Sequence, residues 1–161
     1  MSKKIAIYPG TFDPFTYGHL DIVERAIKIF DEIIVTIALN TKKQPLFPVN
    51  ERIEFIMDAT RLIPHVKADC FEGLLVDFAR TKNAVAIIRG LRAISDFEFE
   101  FQMALMNHRL DQDISTVFLM PNEKYTYLNS TIVKEVVEFG GNIDNLVTPL
   151  VASKLKEKFK S

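Results

Sequence analysis

The chain has 161 residues, 48% of them hydrophobic and 25% charged, with a formal net charge of -1. That size and balance suit one water-exposed domain with its own core, 1–161, and carry no bulk basic signal for nucleic acid and no acidic tail. The single Cys70 excludes an internal disulfide and a Cys-rich zinc site, and no apolar run approaches the roughly 18 residues of a membrane span.

The first element is a short apolar run from Lys4 to Tyr8, in which Ile5 and Ile7 alternate as in a strand. It leaves no space for a signal peptide, so the cytoplasm is the expected compartment. A Gly/Pro-rich turn follows, Tyr8-Pro9-Gly10-Thr11-Phe12-Asp13-Pro14-Phe15-Thr16-Tyr17-Gly18-His19. It leads into a helical pattern from Leu20 to Phe30, so Gly18 and His19 fall in or beside the first helical turn. Free N–H groups and the positive dipole end collect there, which makes the turn a natural phosphate site. Gly10 allows close approach, Thr11 adds a hydroxyl, and His19 adds a donor expected to be cationic near neutral pH. Asp13 reads as the shaper of an Asp-Pro turn.

The second strand is expected at Glu32–Ala38. Thr41 to Val49, with Pro45 and Pro48, reads as a loop carrying Lys42 and Lys43. Asn50 is the expected cap of a helix from Glu51 to about Leu62. Then come a strand Val66–Phe71, a short helix Leu74–Lys82 and a strand Ala84–Ile88. Ser95 is the expected cap of a long helix to about Leu110, bearing Phe97, Phe101, Ala104 and Leu105. A strand Thr116–Met120 and helices Ser130–Phe139 and Pro149–Phe159 close the chain. His65 and His108 lack the setting of His19 and read as surface or packing residues.

This alternation predicts a Rossmann-like doubly wound parallel sheet of about five strands with helices on both faces. Ligands of such sheets sit at the carboxyl ends of the strands. The loops holding Gly10-Thr11, Asn40–Lys43, Arg89–Arg92 and Pro121–Ser130 all follow strands, so they converge on one crevice. Arg89 ends an apolar strand, where an unpaired charge would be costly. The loop bearing Ser130 and Thr131 opens a helix, again a place for phosphate. No G-x-x-x-x-G-K-[ST] occurs, and no G-x-G-x-x-G follows the first strand.

What occurs is Gly10-Thr11-Phe12-Asp13-Pro14 followed by Thr16-x-Gly18-His19. Further on stand Ile87-Ile88-Arg89-Gly90-Leu91-Arg92, Asp96-Phe97-Glu98-Phe99-Glu100, Val117–Pro121 and Ser130–Val136. The first pair resembles the motif of the nucleotidyltransferase superfamily. Together the runs, from Ile5 to about Pro149, resemble the bacterial phosphopantetheine adenylyltransferases of coenzyme A synthesis.

The resemblance implies adenylyl transfer from ATP to 4'-phosphopantetheine, giving dephospho-coenzyme A and pyrophosphate. It implies His19 as the catalytic residue, a donor to the α-phosphate as charge develops there. Thr11, Lys43, Leu75 and Arg89 would hold the acceptor. Thr11, Phe12, His19, Gly90, Leu91, Arg92, Glu100 and the run Tyr125, Thr126, Tyr127, Leu128, Asn129, Ser130, Thr131 would hold ATP. Mg²⁺ would arrive on the ATP phosphates, since no carboxylate cluster forms a dedicated cage. The family also implies a homohexamer and feedback inhibition by coenzyme A. Other acceptors, such as nicotinamide mononucleotide or glycerol phosphate, and a non-catalytic nucleotide sensor are the alternatives.

Overall fold

The structure, a computed structural model, describes residues 1–95 and 97–160. Its strands are β1 (Ile5–Gly10), β2 (Glu32–Ala38), β3 (Val66–Phe71), β4 (Ala84–Gly90) and β5 (Ser115–Leu119). All neighbouring pairs are parallel, in the order β3-β2-β1-β4-β5. The helices are α1 (Tyr17–Ala26), α2 (Val49–Thr60), α3 (Leu75–Thr81), α4 (Phe97–Leu110), α5 (Ser130–Glu138) and α6 (Pro149–Phe159), with a short 3-10 turn at Glu123–Tyr125.

The strand pleat explains the two cores. Ala6, Tyr8, Ile33, Val35, Ile37, Ala86 and Ile88 point to one face, where α1, α2, α5 and α6 cover them. Ile7, Ile34 and Ile87 alternate to the other face, against Val76 and Ala79 of α3. Fully burying a Phe or Ile contributes about 1.5–3 kcal/mol, and Phe15, Phe47 and Phe55 are all essentially inaccessible to water.

The chain winds from β1 outward to β3, then returns past β1 to β4, so the strand order reverses between β1 and β4. The β1–β4 register runs only as far as Ile7, whereas β1 pairs with β2 through Gly10. Pro9, which has no N–H to donate, lies where β1 has parted from β4. The parted strand ends open the crevice expected at a topological switch point.

Several expected boundaries move. α1 begins at Tyr17 and ends at Ala26, not Leu20 to Phe30, because Thr16 caps it three residues earlier. α2 is entered from Pro48 rather than capped by Asn50, and ends at Thr60; Pro48 supplies the extended geometry that precedes a helix. α5 keeps its expected start at Ser130, capped by Asn129, whose side chain accepts the Ile132 N–H at 2.7 Å, and ends one residue earlier, at Glu138. The Ser95 hydroxyl accepts the Arg92 N–H at 2.9 Å, and α4 is assigned from Phe97. Asp96, which opens the acidic run read above, and Ser161 lie outside the described residues.

Candidate active site

The turn after β1 is built around aromatic packing. Phe12 has a left-handed backbone with φ 50° and is 3% exposed. Its ring meets Tyr8 edge-on at 5.2 Å and His19 edge-on at 4.9 Å. A Cβ on Gly10 would stand 2.9 Å from the Phe12 ring, so that position needs glycine. Phe15 packs against both rings, its centroid 5.3 Å from the imidazole and 5.5 Å from Phe12.

Thr16 and His19 form a reciprocal cap at the start of α1. The Thr16 N–H donates to His19 Nδ1 at 2.9 Å, and Thr16 Oγ1 lies 3.4 Å from the His19 N–H it accepts. A capping box normally has Glu or Gln in the third helical position; here an imidazole fills it. Because Nδ1 accepts, the proton of neutral His19 resides on Nε2. Burial, with a smaller contribution from the Arg92 charge, pushes the His19 pKa down to about 3. The cationic His19 expected from the sequence is therefore corrected: the aromatic walls disfavour imidazolium, and the group is a neutral Nε2–H donor.

Beyond this turn, a cleft of ≈ 650 Å³ gathers residues from far apart in the chain. β1 and α1 supply Thr11, Phe12 and His19; β4 and its loop supply Arg89, Gly90 and Arg92. α3 contributes Leu75, α4 Glu100, and the start of α5 Asn129 and Ser130. Arg89 donates from Nε and Nη2 to the two Glu100 oxygens at 2.7 and 2.6 Å, and this bond raises the guanidinium pKa against the effect of burial. Arg92 Nη1 donates to the Leu128 carbonyl at 2.7 Å, tying the β4 loop to the start of α5. Ser130 Oγ donates to the Pro14 carbonyl at 2.8 Å, tying α5 to the first turn.

Lys43 lies beside the cleft rather than in it. It is exposed and borders a second hollow of ≈ 390 Å³ with Thr11, Ser130, Thr131 and Lys134. Thr11 and Ser130 are common to both cavities, so the hollow is continuous with the cleft wall. Leu91, Tyr125, Thr126, Tyr127 and Leu128 lie outside the walls of both. Leu91 gives its N–H to Leu119, Tyr127 is exposed, and buried Leu128 contributes its carbonyl to Arg92.

The roles of three residues emerge only from the fold. Asp13 is 5% exposed, and its carboxylate accepts the Leu46 and Phe47 N–H groups at 2.8 and 3.0 Å. Arg52, on α2, donates to the carbonyls of Phe47 at 2.9 Å and Thr11 at 2.9 Å. Together they fasten the far end of the Lys43 loop to the first turn. Lys134, whose Nζ is 3.6 Å from Asp13, adds a cation to the second hollow. An Arg one turn into α2 carries no local signal for such a role; the Asp13 turn was legible, but its partners 33 and 34 residues away were not.

Among the described residues, no group of three or more His, Cys, Asp or Glu side chains could hold a metal ion. No helix among them is long and apolar enough to cross a membrane.

Comparison with known proteins narrows the chemistry. Residues 7–136 match the cytidylyltransferase-like family. A protein of Thermodesulfovibrio yellowstonii named phosphopantetheine adenylyltransferase is 54% identical, over 98% of this chain and 98% of its own. Proteins of the same name from Caldanaerobacter subterraneus and Geobacter metallireducens are each 53% identical, over 98% and 99% of this chain and 98% of theirs. Among solved structures, a candidate nicotinate-nucleotide adenylyltransferase from Vibrio parahaemolyticus shares the fold, with a TM-score of 0.73 at 19% identity over 99% of this chain and 98% of its own. A lipopolysaccharide core biosynthesis protein from Thermoplasma volcanium superposes less fully, with a TM-score of 0.54 at 19% identity over 75% of this chain and 98% of its own. The switch-point cleft, the Gly-Thr-Phe-Asp-Pro turn with its capped His19, and identity above half over nearly the full length of each relative lead to one conclusion: the chain belongs to the cytidylyltransferase-like nucleotidyltransferases, and among them to the phosphopantetheine adenylyltransferase family.

Proposed function

We propose that this protein transfers the adenylyl group of ATP to 4'-phosphopantetheine, forming dephospho-coenzyme A and releasing pyrophosphate. The observation that carries the reading is the near-full-length identity of 53–54% to proteins named for that reaction. The cleft supports it by assembling a neutral histidine, two arginines and the start of α5 around one opening.

The acceptor phosphate attacks the α-phosphorus in line, and pyrophosphate leaves from the opposite side. A bond forms between acceptor oxygen and phosphorus as the α–β bridge breaks, with no covalent enzyme intermediate. The protein's work is positioning and charge stabilisation. His19 donates from Nε2 to an α-phosphate oxygen as negative charge builds there. Its Nδ1 bond to the Thr16 N–H keeps the imidazole aimed without reorganisation. Thr11 orients the acceptor or α-phosphate, and Arg89 and Leu75 hold the acceptor. Lys43 follows the transferring phosphate as a point charge. Gly90, Leu91, Arg92, Glu100 and the 125–131 segment, with Phe12, form the nucleotide side, the start of α5 receiving the β- and γ-phosphates. Mg²⁺ enters as part of the ATP substrate, in keeping with a site where Asp13 already accepts two backbone N–H groups.

The chain works as one nucleotidyltransferase domain, 1–161, in the cytoplasm. It assembles as a homohexamer, a reading supported by Phe97, Phe101 and Leu105 standing about half exposed on α4. Coenzyme A, which carries both halves of the product, is a feedback inhibitor of the same cleft.

The test is to mix the protein with ATP, Mg²⁺ and 4'-phosphopantetheine and measure dephospho-coenzyme A together with pyrophosphate. Equimolar, ATP-dependent formation of both is expected. Absence of product with this acceptor, alongside turnover with nicotinamide mononucleotide or glycerol phosphate, would overturn the assignment.

A further inference from the structure

A tyrosine that serves only a hydrophobic core wastes its hydroxyl, because phenylalanine packs as well and leaves no polar atom to desolvate. Tyr8 belongs to the core face of β1: it is 5% exposed, and its ring meets Phe12 edge-on at 5.2 Å. Its hydroxyl has no hydrogen-bond partner among the described residues. The oxygen is not sealed from solvent, and the residue lines the switch-point cleft. A largely buried donor that the fold leaves unpaired calls for a reason.

The surroundings of the hydroxyl supply one. Its oxygen lies 3.7 Å from the point where a Cβ on Gly90 would stand. Gly90 ends β4, with Arg89 before it and Arg92 beyond it, and all three line the cleft. Both guanidinium charges act on the phenol. Burial outweighs them and pushes its pKa up, past the ordinary tyrosine range, so the group is a neutral O–H. In the field of two cations the oxygen end of that dipole turns toward them, and the hydrogen turns toward the anion they hold. The Phe12 ring that supports Tyr8 also meets His19 edge-on, at 4.9 Å. One aromatic side chain thus backs two neutral donors at the same opening.

We propose that Tyr8 is a further nucleotide contact, its hydroxyl donating to a non-bridging oxygen of the ATP α-phosphate above Gly90. The proposal rests on the adenylyl-transfer reading. In that reading Arg89 faces the acceptor and Arg92 the nucleotide, so the phosphorus that passes between them lies at Gly90. The proton stays on Tyr8 throughout, and the contact adds a donor without adding charge.

Three physical accounts of the hydroxyl predict different results for Tyr8→Phe. A hydroxyl that serves the fold is missed by the free protein, whose melting temperature falls. A hydroxyl satisfied by water alone is missed by neither protein nor ligand. A hydroxyl kept for a ligand is missed only when the ligand binds, and the free protein is as stable without it or more so.

The experiment compares the wild type with Tyr8→Phe by melting temperature, by calorimetry with AMP, pyrophosphate and adenosine, and by steady-state kinetics. The expected result is a melting temperature of the free variant that is unchanged or raised. AMP should bind about tenfold more weakly, with adenosine and pyrophosphate each within twofold of wild type. The kcat/KM for ATP should fall about tenfold or more, while the acceptor KM stays within twofold. A lowered melting temperature would overturn the proposal by giving the hydroxyl to the fold. Unchanged AMP binding would give it to water, and a loss shared equally by adenosine would give it to the ribose; either outcome also overturns the proposal. Wild-type turnover is read separately: its failure with 4'-phosphopantetheine strikes the functional reading, while the calorimetry with AMP still decides the role of Tyr8.

Discussion

Two segments beside the cleft, the turn at 10–19 and the loop at 41–47, are organised in opposite ways. In the turn, Phe12, Phe15 and Thr16 are at most 3% exposed, and His19 is held by ring packing and by Thr16. In the loop, residues 41–45 are all exposed and Lys43 sits among them. The loop's near end is held only locally, where Asn40 accepts the Lys42 and Lys43 N–H groups, and its far end is fastened to the turn, where Asp13 and Arg52 seize Leu46 and Phe47. The contrast teaches where preorganisation is concentrated. A donor that meets developing charge gains most when it needs no rearrangement. A lysine that follows a phosphate from one bond to the next gains from a tether.

The largest effect should come from the rigid side. His19→Ala is expected to lower kcat by about 10²-fold or more with a smaller change in ATP binding. Near-normal turnover by that variant would remove His19 from the chemistry. Next comes the joint between the two segments. Asp13→Ala leaves two backbone N–H groups without their acceptor and should cost about 2–4 kcal/mol of stability. For a chain of this length that is a fall in melting temperature of about 4–16 °C. An unchanged melting temperature would show that water satisfies Leu46 and Phe47 equally well.

On the tethered side, Lys43→Ala should reduce kcat/KM for the acceptor by about tenfold, a loss of about 1.4 kcal/mol, while leaving the melting temperature within a degree. A large stability loss would mean that the lysine holds the loop rather than the phosphate. The remaining test concerns pH. With His19 near 3 in the folded protein and 6.5 as its ordinary value, the unfolded chain binds a proton between those limits that the native state refuses. Stability from this group is present above pH 6.5 and is lost as pH falls toward 3. Urea unfolding at pH 7 and pH 5 should show a smaller pH-dependent loss in His19→Gln than in the wild type. Equal losses would mean that His19 is not held neutral.

Much of this architecture was legible before any coordinates. Unbroken aliphatic runs such as Ile33-Ile34-Val35 marked strands buried on both faces, and their alternation with helices implied the parallel sheet of five strands. The convergence of Thr11, Arg89, Arg92 and Ser130 followed from each lying at the carboxyl end of a strand or in the segment leading from it to the next helix. Helix ends were less legible, because caps compete locally. Thr16 and Pro48 displaced the expected starts of α1 and α2 by three and two residues, through cap geometry that spacing does not encode. The amphipathic reading of α4 was real, yet none of its described residues is buried, since periodicity records an apolar face and not what covers it.

The amino-acid order alone determined the element types, the winding of the sheet and the cleft end at which the motifs meet, because those follow from local period and from the handedness of crossovers. Only the tertiary structure decided the charge of His19, the bond that Glu100 makes to Arg89, and the anchoring of the Lys43 loop by Asp13 and Arg52. Each of these depends on burial and on distances between residues remote in the chain. Ionisation and hydrogen-bond choice are set by surroundings, and the surroundings of a side chain exist only once the chain has folded.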